Sequence, residues 1–271
     1  MLTNLILGRM GLGWVPDESD PRDWDFSKLM LVQRAETSEV CSLRKYVPQM
    51  FSQGATSSCT AHAVAANIGL VETKVGFPYS PVSRLFIYYN ARRYAAPKVS
   101  DSGSSIRYAV KAMAKLGVCD EKWWPFSTLK VNSSPGWDPQ RYAWGRRNCE
   151  YYRIQDRGAE RVLKLKSALL AGYPIVFGTK LAESFRDRTG PLVIDRPKSA
   201  ETIIGGHALL IIGYIHNSLG LCFEIQNSWG AKWRDHGFAW LTEDYIRWDS
   251  SADFTVIKGW DALKNRSTED A

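Results

Sequence analysis

The sequence predicts an α+β fold with two unlike lobes, because helical and strand patterns occupy different halves of the chain. Apolar residues recur at helical spacing in the first half, and short runs rich in β-branched and aromatic residues follow in the second. At 271 residues, 45% of them apolar and 23% charged, the chain is long enough for two lobes around a cleft. We predict an extension at 1–40, a mainly helical lobe at 41–150, a β-rich lobe at 151–262 and a tail at 263–271.

Four segments have the periodicity of amphipathic helices. The first begins at Ser57 or Ser58, either of which suits a helix N-cap, and carries apolar residues at intervals of three and four as far as Val75. The third is expected to end at Gly117, a residue type typical of helix C-termini. The other predicted helices cover 83–95, 105–118 and 159–173, and the Pro- and Ser-containing stretch 131–139 is expected to be a loop.

Short β-type runs separated by turn residues follow the last predicted helix. The cluster at 216–220, for example, separates two of these runs. We expect these runs to be antiparallel strands of the second lobe. They cover 174–181, 207–215, 221–226 and 237–241.

Charge and hydropathy exclude several classes of partner. The net charge is +7, but the basic residues are scattered and no run of five occurs, so we expect a solvated surface and no nucleic-acid partner. No segment approaches the apolar length of a membrane span, so we expect no membrane partner.

The cysteine pattern and the first residues predict a compartment. Five widely spaced cysteines without a CxxC pair indicate neither a metal site nor a disulfide framework, which favours a reducing environment. The N-terminal apolar stretch is short and has no basic residue before it, unlike a secretory signal. We expect a cytoplasmic protein, with non-classical export or delivery into another cell left open.

Cys59 is the first candidate for chemistry. If the helix begins there, unpaired N–H groups and the helix dipole favour the thiolate and lower the thiol pKa. Ala63 and Ala66 lie on the same helical face and leave room for a second lobe to approach. The alternative is a buried structural thiol, since free cysteines are commonly inert.

A nucleophilic cysteine needs a base, and the base needs an orienting partner. His207 begins an apolar run after two glycines that leave space around its ring. Asn227 follows a predicted strand, and an asparagine oxygen can accept from an imidazole N–H and fix its tautomer. Trp229, two residues further, is suited to exclude water from that hydrogen bond.

These segments together resemble the papain-like cysteine peptidase family, in particular its bacterial-type members. Glutamine stands six residues before a cysteine at a predicted helix start, and a histidine and an Asn-Ser-Trp-Gly turn follow in that order. The resemblance covers about 42–246 and implies a papain-like two-lobe fold, with a helical lobe and an antiparallel, β-barrel-like lobe on either side of the active-site cleft.

The resemblance also implies roles. Cys59 corresponds to the nucleophile, His207 to its proton partner and Asn227 to the residue that orients His207. The Gln53 side chain and the Cys59 N–H correspond to the oxyanion hole. It implies substrate-binding roles for Gly103, Gly205, Ala208 and Trp229, and no cofactor or metal. Thr56 occupies the place where lysosomal and plant members have a disulfide cysteine, Thr60 replaces the aromatic residue after the nucleophile, and Gly206 precedes the histidine.

The expected function is therefore a cysteine-type peptidase that hydrolyses peptide bonds through a thioester on Cys59. Alternatives with the same residues are a transferase, a deamidase or a deubiquitinating-type effector, and a different class is a catalytically retired peptide-binding module. We expect a monomer that binds a peptide or protein substrate, with a protein inhibitor as a further candidate partner.

Two features have less specific interpretations. The acidic, Pro-rich stretch 16–26 in the extension is expected to pack as a strap on the outside, with coverage of the cleft as the alternative. His62, three residues after Cys59, is expected to be a hydrogen-bonded structural histidine, with a role as a competing base or in tuning the Cys–His pair as the alternative.

Overall fold

Helices occupy the first half of the chain and strands the second in the computed structural model, which describes residues 10–29, 38–147 and 149–259. This confirms the α+β class and the two-lobe arrangement. The helices are α1 (Cys59–Lys74), α2 (Arg84–Ala95), α3 (Ile106–Leu116), α4 (Trp137–Ala143), α5 (Gly158–Leu170) and α6 (Glu243–Arg247). The strands are β1 (Val40–Ser42), β2 (Glu150–Arg153), β3 (Ile175–Ala182), β4 (Val193–Ile194), β5 (Ile203–Asn217), β6 (Gly220–Gln226), β7 (Phe238–Thr242) and β8 (Ser251–Gly259).

Capping residues set the ends of the helices around the cleft. Ser83 and Ser105 each accept a hydrogen bond from a backbone N–H in the first turn of α2 and α3. Gly117 ends α3 with φ of +83°, a conformation that glycine adopts without steric cost. Helix α1 is buried from Cys59 to Glu72, which makes it the central helix of the molecule.

The eight strands form one sheet in the order β2-β8-β3-β5-β6-β7-β4, with β1 paired to β5. Neighbouring strands are antiparallel apart from β4 and β7, which are parallel. The sheet is not closed into a barrel, so the barrel-like part of the expectation is wrong. Helix α1 packs against β5, β3 and β8 and so brings its N-terminus to the sheet.

Several elements differ from the sequence-based expectation. Helix α4 begins within the stretch predicted as a loop, and the predicted strand at 207–215 is the middle of a longer strand, β5. Strand β1 begins at the last residue of the predicted extension, continues into the predicted helical lobe and pairs with the sheet. The lobe boundaries themselves stay predictions. Among the described helices none is both long and apolar enough to cross a membrane.

Candidate active site

Helix α1 begins at Cys59, as predicted, and its first turn faces the sheet. The Cys59 side chain is fully buried, and backbone groups of Ala208 on β5 and of Trp14 lie near its sulfur and lower its pKa slightly against the larger effect of burial. Asp101 Oδ1 accepts from the Ser57 N–H at 2.9 Å and from the Tyr88 hydroxyl at 2.7 Å. These bonds fix the chain just before the nucleophile candidate.

His207 and Asn227 are joined by a hydrogen bond of 2.8 Å between His207 Nε2 and Asn227 Oδ1. Asn227 Oδ1 also accepts from the Ser228 N–H at 2.7 Å, so the oxygen of this amide must be the atom that faces the ring. His207 Nε2 therefore carries the hydrogen. Nδ1 then has the lone pair and lacks a hydrogen-bond partner among the described protein atoms, as required of an atom that accepts a proton.

Gln53 connects the segment before α1 to the loop that carries Asn227. Its Nε2 donates to Thr56 O at 2.8 Å, and its Oε1 accepts from Ser228 Oγ at 2.6 Å. The Gln53 N–H also donates to Ser228 O at 2.9 Å. One N–H of the Gln53 amide stays available to an oxyanion. Ser228 was missed by the sequence reasoning, although its place between Asn227 and Trp229 is a signal for it.

Trp229 covers the histidine. The ring centroids of Trp229 and His207 are 4.8 Å apart, and the indole is itself packed edge to face against Phe185 and Trp233. Trp229 and Asn227 are both buried, so little water reaches the His207–Asn227 bond. This agrees with the role that the sequence suggested for the indole.

Burial has the largest effect on the pKa values of Cys59 and His207. It raises the pKa of Cys59 to about 12, and it lowers the pKa of His207 to about 4 against the opposing effect of the Asn227 hydrogen bond. Both groups are therefore neutral at pH 7. In this covered arrangement the pKa of the Cys59 thiol is raised rather than lowered as expected, because burial outweighs the nearby backbone groups that lower it.

The chain's own N-terminal segment lies against the residues around the pair and contributes to that burial; we call its residues 10–15 the inner strap. The Gly11 N–H donates to Gly54 O, and the Gly13 N–H donates to Gly206 O, each at 2.9 Å. The Gly13 carbonyl accepts from the Ser104 N–H at 2.9 Å. The inner strap thus crosses between the residues before α1, the start of α3 and the His207 strand.

Glycine is required where the inner strap passes Cys59. A Cβ on Gly11 would overlap the backbone carbonyl of Thr56, and a Cβ on Gly13 would overlap that of Ser57. On the other side, the Trp14 carbonyl lies where a Cβ on Gly206 would project. Backbones therefore meet here without side chains between them, which only glycine permits.

Residues 16–26, which we call the outer strap, are tied to both lobes by ion pairs. Asp17 pairs with Arg153 of β2, and Asp23 pairs with Arg107 of α3. Lys111 binds Asp20 at 3.0 Å. The expected strap concerned this acidic stretch alone. The inner strap, for which the sequence analysis made no separate prediction, precedes it and lies against the residues around Cys59.

The predicted substrate-binding residues lie against the inner strap or beside the sulfur. A Cβ on Gly103 would overlap Gly13 O, while the strand-like hydrogen bonds come from its neighbour Ser104. A Cβ on Gly205 would come within 3.0 Å of Leu12 Cδ1. Ala208 is buried beside Cys59, and Trp229 Nε1 donates to Gly11 O at 3.1 Å. Their roles toward a substrate stay predictions.

The described ranges contain no group of three or more His, Cys, Asp or Glu side chains that could hold a metal ion. The arrangement instead combines a nucleophile, an oriented base and an amide donor, which suits acyl transfer. His216 contacts Glu39 at the surface, away from this set.

Comparison with known proteins identifies the family. A family model described as papain family cysteine protease matches residues 87–252. An uncharacterised peptidase C1-like protein of Acanthamoeba polyphaga mimivirus is 38% identical over 233 residues, which are 81% of this chain and 74% of that protein. The chain belongs to the papain family of cysteine proteases.

Solved structures agree with this assignment. Xylellain, a cysteine protease from Xylella fastidiosa, has a TM-score of 0.81 at 32% identity and covers 93% of this chain and 97% of its own. Digestive procathepsin L 3 from Tenebrio molitor larval midgut has a TM-score of 0.65 at 13% identity, covering 93% of this chain and 75% of its own. The latter likeness concerns the fold alone.

Proposed function

We propose that the chain is a peptidase that cleaves peptide bonds through a thioester on Cys59. The observation that carries the proposal is the convergence of four side chains from separate segments. Cys59 begins α1, His207 lies on β5 beside the residue whose backbone lies near the sulfur, Asn227 orients His207, and Gln53 is tied to the same loop by Ser228.

Each group has one task in the proposed reaction. His207 Nδ1 takes the proton of Cys59, and the sulfur forms a bond to the substrate carbonyl carbon. The C=O electron pair moves to the oxygen, which accepts from Gln53 Nε2–H and the Cys59 N–H. When the C–N bond breaks, His207 gives its proton to the leaving amine. Water then hydrolyses the thioester, transferring a proton to His207 and restoring the thiol.

The inner strap has to leave the cleft before a substrate enters. Its described carbonyl bonds are those of Gly11 to Trp229 and Gly13 to Ser104, not bonds to the Gln53 amide. These two carbonyls are therefore not placed for attack. Opening would also rehydrate Cys59 and His207, which moves both pKa values back toward the charged pair.

Hydrolysis of a fluorogenic peptide library by the full chain, with product termini read by mass spectrometry, tests the proposal. The assay should include a Gly13→Ala chain, in which the strap no longer fits, and Cys59→Ser in that background. Cys41→Ser is the matched control, because Cys41 is half-buried and its thiol donates to Leu169 O of α5, which the active-site residues do not contact in the described bonds. We expect cleavage that only Cys59→Ser abolishes.

Cleavage that persists without Cys59, or an opened chain that binds peptides without cleaving them, would contradict a peptidase. Release of the amine with transfer of the acyl group to an added amine rather than to water would favour a transferase. Each of these readouts also tests the proposal that the substrate is a peptide or a protein.

A further inference from the structure

His62 lies one turn after Cys59 on α1 and is buried. Its Nδ1 lies 3.0 Å from Ser58 O, which can only accept, and 3.1 Å from Ser58 Oγ. The Thr56 hydroxyl donates to Gln53 O, so the Ser58 hydroxyl donates to Thr56 Oγ1 and also accepts from the ring. Nδ1 therefore carries the hydrogen, and Nε2 has the lone pair. Burial and the Arg84 charge lower the pKa of His62 to about 3, so the ring is neutral over the range in which the chain would act.

Packing fixes the plane of this ring. Phe126 and Phe51 meet it edge to face, with centroids 4.8 Å and 6.2 Å away. Arg84 in turn lies over both phenyl rings, 4.9 Å from the Phe126 centroid and 4.3 Å from the Phe51 centroid. The direction of the His62 Nε2 lone pair is therefore set by its surroundings.

A small space lies between His62 and the residues of β6 and the Asn227 turn. It leaves about 10 Å³ for the centre of a water molecule, and its lining includes His62, Gln226 and Asn227 together with Phe51, Ala63 and Ala66. This is the space that one buried water needs.

Three of the four polar residues in this lining, all but Ser228, each have one buried atom without a hydrogen-bond partner among the described protein atoms: His62 Nε2, Gln226 Oε1 and Asn227 Nδ2. Their identities are fixed by their other bonds. Gln226 Nε2 donates to Gln49 O, which leaves Oε1 as the free acceptor, and Asn227 Oδ1 is engaged by His207 and Ser228, which leaves Nδ2 as the free donor.

One donor and two acceptors around one water-sized space complement a single water molecule. Such a water accepts from Asn227 Nδ2–H and donates to His62 Nε2 and to Gln226 Oε1, three bonds in all. Left unpaired, each of these buried atoms would cost free energy, so the site favours occupation.

We propose that His62 is a positioning residue that holds a buried water against Asn227 and thereby fixes the amide that orients His207. The inference rests on the proposed function of Asn227. The water anchors the Nδ2 end of the amide, and the Ser228 N–H and His207 anchor the Oδ1 end. With both ends held, the amide plane cannot rotate, and His207 keeps Nδ1 as the proton acceptor.

The first test is independent of activity. A high-resolution crystal structure of the full chain is expected to show one ordered water within hydrogen-bond distance of His62 Nε2, Gln226 Oε1 and Asn227 Nδ2. A dry cavity, or a water that does not contact Asn227, would overturn the inference whether or not the chain is a peptidase.

The second test uses two substitutions that probe the two imidazole nitrogens of His62 separately. His62→Asn keeps a donor at the Nδ1 position for Ser58 O and removes the Nε2 acceptor. His62→Gln places an amide oxygen near the Nε2 position. In the full chain opened by Gly13→Ala, we expect His62→Asn to lower kcat about 10-fold with little change in KM, and His62→Gln to recover most of that loss.

A merely structural histidine predicts a different pattern. Both substitutions would then lower the melting temperature and reduce activity by the same factor, without rescue by glutamine, and this result would overturn the proposal. If the opened chain itself hydrolyses nothing, the proposed function fails, while the crystallographic test of the water still stands.

Discussion

The inner and outer straps are consecutive parts of one segment, yet they are held to the molecule in different ways. The inner strap has no charged residue from Met10 to Val15 and is fixed by backbone hydrogen bonds and close glycine contacts. The outer strap carries five acidic residues, at 17, 18, 20, 23 and 25, and four of these five carboxylates pair with cations of the two lobes.

The comparison separates two properties of this segment: how the inner strap covers the cleft, and how the outer strap is anchored to the lobes. Steric fit decides whether the inner strap can lie over Cys59. Because the inner strap has no charged residue, salt should affect its contacts little.

The outer strap is anchored by pairs that range from buried to exposed. The side chains of Arg153 and Asp17 are 6% and 1% exposed, whereas the Lys111 side chain that pairs with Asp20 is 28% exposed. Arg22, which is 83% exposed, pairs with Asp20 within the outer strap itself. Substitutions along the segment should therefore differ in effect in a predictable order.

The largest effect is expected from Gly13→Ala. The new Cβ would overlap the Ser57 backbone carbonyl, a misfit that costs about 3 kcal/mol in the covered form, or about 100-fold in the closed-to-open ratio. Alkylation of Cys59 by iodoacetamide, counted by mass spectrometry, should be faster by about that factor. Gly136→Ala is the control, because a Cβ at Gly136 has no neighbour. Equal alkylation rates in the unsubstituted chain, Gly13→Ala and Gly136→Ala would refute the steric account.

An intermediate effect is expected from Asp17→Asn. The substitution removes the buried negative charge that pairs with Arg153, while Arg153 keeps Asp253 as a partner at 2.9 Å. We expect the free energy of unfolding to fall by about 2 kcal/mol. Cys59 alkylation should accelerate, and the denaturation midpoint should fall. Asp249→Asn removes one partner of an exposed ion pair, Arg157–Asp249, and should change neither. An unchanged alkylation rate in Asp17→Asn would mean that the outer strap does not anchor the inner one.

A pH-dependent effect follows from the buried pair beneath the inner strap. Between pH 6.5 and 4 the unfolded chain protonates His207 while the folded chain does not, so stability falls as the pH falls. Between pH 9 and 12 the unfolded chain ionises Cys59 while the folded chain does not, so stability falls as the pH rises. Urea unfolding across these windows measures both slopes.

The control for the acid slope is His207→Ala, which removes the group that takes up the proton. The unfolding free energy of this variant should decline less between pH 6.5 and 4 than that of the unsubstituted chain. Identical slopes would show that His207 is not held neutral in the folded protein.

The smallest effect is expected from Arg22→Gln. Arg22 is mostly exposed, and its partner Asp20 also binds Lys111, so the outer strap keeps an ion pair at this point. Exposed pairs contribute little, and we expect the Cys59 alkylation rate to change less than about 2-fold. A larger change than that of Asp17→Asn would reverse the order that the comparison predicts.

The sequence was sufficient for the parts of the site that local chemistry determines. Cys59 at a helix start and the Asn-Ser-Trp-Gly turn are short motifs whose neighbours in the chain are also their neighbours in space. The pairing of His207 with Asn227 was accessible because β5 and β6 are adjacent along the chain and antiparallel.

The remaining features depend on contacts between distant residues. Nothing local to Gly13 indicates that it lies against Ser57 and Gly206, and without that contact the burial that sets the Cys59 pKa was not predictable. His62 was assigned a structural hydrogen bond, which it makes to Ser58 O. Its second nitrogen acquires a possible role only because the α1–sheet interface places Gln226 and Asn227 around the same small space.

The most direct test of the account is labelling of Cys59 by an epoxysuccinyl peptide, followed by intact mass and peptide mapping. The chains to compare are the unsubstituted protein, Gly13→Ala, and Gly13→Ala with His207→Ala. We predict slow labelling of the first, rapid single labelling at Cys59 in the second, and loss of that labelling in the third. Equal labelling of the first two chains, or labelling that persists without His207, would contradict a catalytic pair covered by the inner strap.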